Sequence, residues 1–105
     1  MVFELKKSNT SPDIKFRLED GNGNPVPLPS GTQVQFRMDQ RGQSVIDAQG
    51  EVLDGSDGIV KYEWQDTSTL NGTFNAEWEI TFPDGETETF PNDDFIRVLV
   101  IDDLT

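Results

Sequence analysis

The stretch Thr73-Phe74-Asn75-Ala76-Glu77-Trp78-Glu79-Ile80-Thr81-Phe82 decides the fold. Phe74, Ala76, Trp78, Ile80 and Phe82 alternate with Asn75, Glu77, Glu79 and Thr81. Successive side chains of an extended chain point to opposite faces, so this spacing builds a strand with one apolar and one wet face. Antiparallel sheets that are solvated on one side produce this pattern. Directly after it, Pro83-Asp84-Gly85 closes a hairpin, because Asp-Gly suits a tight reversal.

The same alternation recurs on both sides of this stretch. Ile14, Phe16 and Leu18 interleave with Lys15, Arg17 and Glu19. Val34, Phe36 and Met38 interleave with Gln33, Gln35 and Arg37, and Val60, Tyr62 and Trp64 with Lys61 and Glu63. Between the runs lie residues that favour turns: Asp20-Gly21-Asn22-Gly23-Asn24-Pro25, Gln40-Arg41-Gly42-Gln43 and Asp54-Gly55-Ser56-Asp57-Gly58. Strands are predicted near 3–5, 13–19, 33–39, 45–53, 58–64, 73–82, 86–90 and 94–101. Asp66-Thr67-Ser68-Thr69-Leu70 allows one helical turn at most. Seven or eight short strands with turns about every ten residues predict an all-β domain, a two-sheet antiparallel sandwich of immunoglobulin-like type, with a small barrel as the alternative. Trp64, Trp78, Phe36 and Phe16 are the expected core anchors.

The 105 residues are enough for one domain with one core, spanning 1–105. Cysteine and histidine are both absent. That removes disulfides, thiolate chemistry, the commonest general base and the commonest transition-metal ligand, so a Ser-His-Asp or Cys-His site cannot be built from this chain alone. The net charge is 8 − 20 = −12. Such a field repels nucleic acid and anionic lipid, so neither is expected as a partner. It suits a protein kept dissolved in concentrated salt, and it equally suits an ordinary acidic surface. The start, MVFELKKSNT, lacks the apolar core of a secretory signal, and no apolar run is long enough to cross a bilayer; synthesis in the cytoplasm is the expectation.

No motif for catalysis emerges. Asp20-x-Asn22-x-Asn24 matches the first half of a calcium loop, but Pro25 stands where glycine is needed and Gly31 where a bidentate glutamate is needed. Asp20, Asp54 and Asp57, with Asp93 and Asp94, remain candidates only for a surface cation. Glu77 and Glu79 share the wet face of their strand and read as solvating residues. No catalytic residue, metal site or cofactor is expected.

Several segments together carry a family likeness. They are Glu19-Asp20-Gly21-Asn22-Gly23-Asn24-Pro25-Val26-Pro27-Leu28, Gly58-Ile59-Val60-Lys61-Tyr62-Glu63-Trp64, Gly72-Thr73-Phe74-Asn75-Ala76-Glu77-Trp78-Glu79-Ile80 and Asp84-Gly85, with Glu88-Thr89-Phe90-Pro91-Asn92-Asp93. Over residues 8 to 102 the chain resembles the N-terminal Ig-like domain of the baseplate upper proteins of tailed phages, and the small free-standing phage proteins of the same type. The matching positions are turn glycines and core aromatics, so they speak for fold and lineage. The resemblance implies a virion protein at the tail tip, baseplate or fibre base, present in several copies among other virion subunits. Capsid decoration is an alternative. The acidity would suit a virus of haloarchaea.

Two segments stand out as partner-binding candidates. The first is the N-terminal segment 1–9, with Val2, Phe3, Leu5, Lys6 and Lys7, read as a docking arm or as the first edge strand. The second is the last strand, apolar on both faces: Ile96, Val98 and Val100 on one, Phe95, Leu99 and Ile101 on the other. A carbohydrate- or surface-binding module is the competing reading; it would need Tyr62, Trp64, Phe90 and Phe95 exposed in one plane. A calcium-stabilised accessory domain is the third.

Overall fold

The computed structural model describes residues 2–7, 13–65, 67–91 and 95–101. They form nine strands: β1 (Val2–Lys6), β2 (Ile14–Arg17), β3 (Gln33–Gln40), β4 (Gln43–Gln49), β5 (Glu51–Asp54), β6 (Ile59–Tyr62), β7 (Gly72–Thr81), β8 (Thr87–Phe90) and β9 (Ile96–Ile101). One sheet runs β1-β9-β7-β3-β4, with β8 also on β7; the other runs β2-β6-β5. No helix occurs among the described residues.

The decisive stretch is β7, the spine of the large sheet. Its first half pairs with β9 from Gly72 to Ala76, and its second half pairs with β8 from Trp78 to Thr81. Its other side pairs with β3, where Trp78 stands opposite Phe36. Phe74, Ala76, Trp78 and Ile80 are buried, as the alternation requires. The core forms where these side chains meet Ile14, Val60 and Tyr62 of the small sheet, together with Leu18 and Trp64 at its strand ends. Phe36 is the junction: its ring stacks on Tyr62 of the opposite sheet at 4.7 Å, lies 4.8 Å from Trp78, and meets Trp64 edge-on at 5.8 Å. Each such buried ring contributes about 1.5–3 kcal/mol over leaving it in water.

The turns form where the sequence places them. Arg41 (φ 54°) and Gly42 (φ 80°) both take left-handed backbone, which gives β3–β4 a two-residue type I′ hairpin matching strand twist. The N–H of Gly85 donates to Phe82 O at 2.9 Å to close β7–β8.

Four expectations need correction. The segment 45–53 is not one strand. It breaks at Gly50, leaving β4 in the large sheet and β5 in the small one, which raises the strand count to nine. Gly50 is buried, and a Cβ there would lie 2.9 Å from Lys61 O and 3.1 Å from Trp78 Cζ3, so only glycine lets the chain slip between the sheets. The sandwich is not wholly antiparallel either: β1 runs parallel to β9, which is possible because no hairpin joins the first strand to the last. Phe16 packs against the core but is only partly buried, since β2 is an edge of the small sheet. Asp66 lies outside the described residues; from Thr67 on there is a turn, with Leu70 N–H donating to Thr67 O at 3.1 Å, and no helix.

Candidate interaction surfaces

The outer face of β3, β4 and β7 is polar. Arg37 spans it. Its Nη1 donates to Glu79 Oε2 at 2.7 Å and its Nη2 to Glu79 Oε1 at 3.2 Å, a two-pronged pair across the strands. Its Nε reaches Asp47 Oδ1 at 3.3 Å, and Gln35 Nε2 donates to the same oxygen at 2.8 Å. The Gln35 hydrogen bond, with Arg37 beside it, holds the Asp47 carboxyl below the usual carboxylate range. Beside this network an open hollow of about 340 Å³ is lined by Gln33, Gln35, Gln49 and Thr81. Glu79, one of the paired carboxylates on β7, is thus engaged by a guanidinium.

The cation candidates serve as turn caps. Asp20 Oδ1 accepts from the backbone N–H of Asn22 at 2.8 Å and of Asn24 at 3.0 Å. Asp54 Oδ1 accepts from Ser56 Oγ at 2.9 Å and from Asp57 N–H at 3.2 Å. Asp57 Oδ1 lies 3.4 Å from Arg17 Nη2. This is the turn chemistry for which Asp is selected. Among the described residues no group of three or more His, Cys, Asp or Glu is placed to hold a metal ion. Asp93 and Asp94 lie outside the described residues.

The aromatic set that a glycan platform would need is inside the protein. Tyr62, Trp64 and Phe90 are buried, and only Phe95 is on the surface. Burial pushes the Tyr62 phenol above its ordinary value. The indole N–H groups of Trp64 and Trp78 are buried with no hydrogen-bond partner among the described residues, so both rings serve as apolar mass.

The two partner-binding candidates converge. The parallel pairing sets β1 beside β9 with Glu4 next to Leu99 and Lys6 next to Ile101. Val2, Lys6, Leu99 and Ile101 share the outer face of this edge; Val2 is 58% exposed, Ile101 44%, and Leu99 half-buried. Phe95, 50% exposed, precedes β9 and borders a hollow of about 150 Å³ with Asn75 and Glu77. Leu5 and Phe3 must be removed from the docking set. Leu5 is in the core and Phe3 packs on Trp64 at 5.8 Å, because odd positions of β1 face inward. Residues Val2–Lys6 are therefore an edge strand and not a detached arm. Lys7 is half-buried, its N–H donating to Ile101 O at 2.7 Å.

No protein-family model matches this chain, and no curated protein matches it in sequence.

The surface also carries an apolar patch that the alternation does not mark. Val45, Val52 and Leu53 are exposed on β4 and β5. Val45 is the extra residue of a bulge, since Met38 pairs with Ile46 and Asp39 with Ser44. Between β4 and the segment that follows β6, a cleft of about 350 Å³ opens over Tyr62 and Trp64, flanked by Val45 and Ala48. The adjacent apolar pair Val52-Leu53, which breaks the alternation just after Gly50, was the available signal.

Proposed function

We propose that this chain is a non-enzymatic assembly protein of a tailed virus, acting at the tail tip, baseplate or fibre base by binding other virion subunits. The observation that carries the reading is the β1–β9 edge. There, among the described residues, a strand edge with no second partner adjoins exposed Val2, Ile101 and Phe95, three of the six large apolar side chains left exposed. Apolar residues beside an open edge favour protein contact, and a rigid sandwich suits repeated docking on a symmetric particle. The likeness of the Gly58–Trp64 and Gly72–Ile80 segments to phage baseplate domains supplies the viral setting. The turn-capping roles of Asp20 and Asp54, and the guanidinium pairing of Glu79, favour binding over catalysis. With Tyr62, Trp64 and Phe90 buried, a glycan-binding face lacks its stacking platform.

Purified particles of the virus, labelled with a gold-conjugated antibody to this chain, test the reading. The expected result is label at one end of the tail in small clusters. Label spread over the head shell, or particles free of the chain by mass spectrometry, would overturn it.

A further inference from the structure

We propose that the open edge of β1 joins two copies of this chain in an antiparallel β1–β1 pair around a two-fold axis, with Glu4 of each copy opposite Lys6 of the other. The proposal concerns the same edge on which the assembly reading rests and names a second copy of this chain as the occupant of β1. Among the described strands, β1 pairs only with β9. Lys7 N–H donates toward β9, to Ile101 O. Backbone groups alternate in direction along a strand, so Leu5 and Phe3 also turn their N–H and C=O toward β9. Those of Val2, Glu4 and Lys6 point away from it, toward the open edge. An unpaired row of this kind is a template for another strand.

Charge selects both the occupant and the register. An antiparallel two-fold pair brings residues whose numbers have a constant sum opposite one another. Only even sums set outward-pointing groups of one copy against those of the other. A sum of eight sets Glu4 against Glu4, and a sum of twelve sets Lys6 against Lys6; like charges directly opposite are unfavourable. A sum of ten sets Glu4 against Lys6 twice, with Leu5 meeting Leu5 on the core side. The Glu4-Leu5-Lys6 segment is therefore complementary to itself read backwards, the requirement for an isologous contact. The pair extends each β1-β9-β7-β3-β4 path into one continuous sheet. Each copy carries a net charge of −12, a repulsion that physiological salt screens beyond about 8 Å.

Sedimentation equilibrium of the full chain, from micromolar to millimolar concentration at physiological salt, tests this. Wild type is expected as a reversible dimer. Glu4→Lys and Lys6→Glu alone each weaken it by roughly tenfold, since each creates two like-charge pairs. The double variant Glu4→Lys/Lys6→Glu restores wild-type affinity. Glu4→Pro removes an outward donor without touching the β1–β9 bonds and gives a monomer with wild-type circular dichroism. A wild type that stays monomeric throughout, or a dimer that the double swap fails to restore, overturns the proposal. Either outcome leaves the assembly reading standing if the antibody still marks the tail. Absence of label with an intact dimer removes the viral setting and keeps the dimer.

Discussion

Phe36→Ala lowers the free energy of unfolding by about 4 kcal/mol, measured by urea denaturation, and lowers the melting temperature by about 20 °C. The size follows from where Phe36 sits. It is fully buried on β3, stands opposite Trp78 within its own sheet and stacks on Tyr62 of the other. Truncation leaves a cavity between the sheets, walled by three aromatic rings too large to collapse into it without moving a strand. Phe16→Ala, at a partly buried edge position, is the internal control and costs less than half as much. Equal losses at the two sites would mean that the sheets do not meet at Phe36.

Gly50→Ala destabilises by about 2–3 kcal/mol, the cost of overpacking a tight site. The sign is the informative part. Replacing glycine by alanine at a permissive site usually stabilises, by about 0.4–1 kcal/mol, through the unfolded chain. At Gly50 the added carbon would stand 2.9 Å from Lys61 O and 3.2 Å from Val34 Cγ1. One neighbour is the backbone of β6 and the other lies on β3, so relief requires the sheets to separate. Gly50 N–H also donates to Val34 O at 2.9 Å, which fixes the crossing point. Gly21→Ala, with nothing within 4 Å of its added carbon, is expected to be neutral or slightly stabilising. Both are read by the same urea titration.

How much of this was legible in the sequence depends on the distance over which each feature is determined. The alternation in Phe74–Phe82 and Val34–Met38 is local, and it identified the inward residues of β7 and β3 correctly. The turn at Arg41-Gly42 is local too, since it needs only two left-handed residues. What failed was non-local. In residues 45–53 only Gly50 and the adjacent apolar pair Val52-Leu53 hint at a change of sheet, because the atoms that forbid a side chain at Gly50 belong to Lys61, Trp78 and Val34. The direction of β1 relative to β9 cannot be read from either strand alone. Along the partner edge, apolar character marked Val2 to Leu5 as a unit. Only pairing with β9 separates inward Phe3 and Leu5 from outward Val2 and Lys6. The Asp20, Asp54 and Asp57 carboxylates look like ligands in sequence, and as turn caps in the fold they accept their own loops' N–H groups or meet Arg17.

We propose that the chain works by docking through its β1–β9 edge. Amide hydrogen exchange, compared between the dilute free chain and the chain within purified particles, tests it most directly. The outward amides of Glu4 and Lys6 are expected to exchange quickly when free and to become protected in the particle, together with slowed exchange near Phe95. Unchanged exchange at Glu4 and Lys6, with new protection over the polar face around Arg37 instead, would contradict the account.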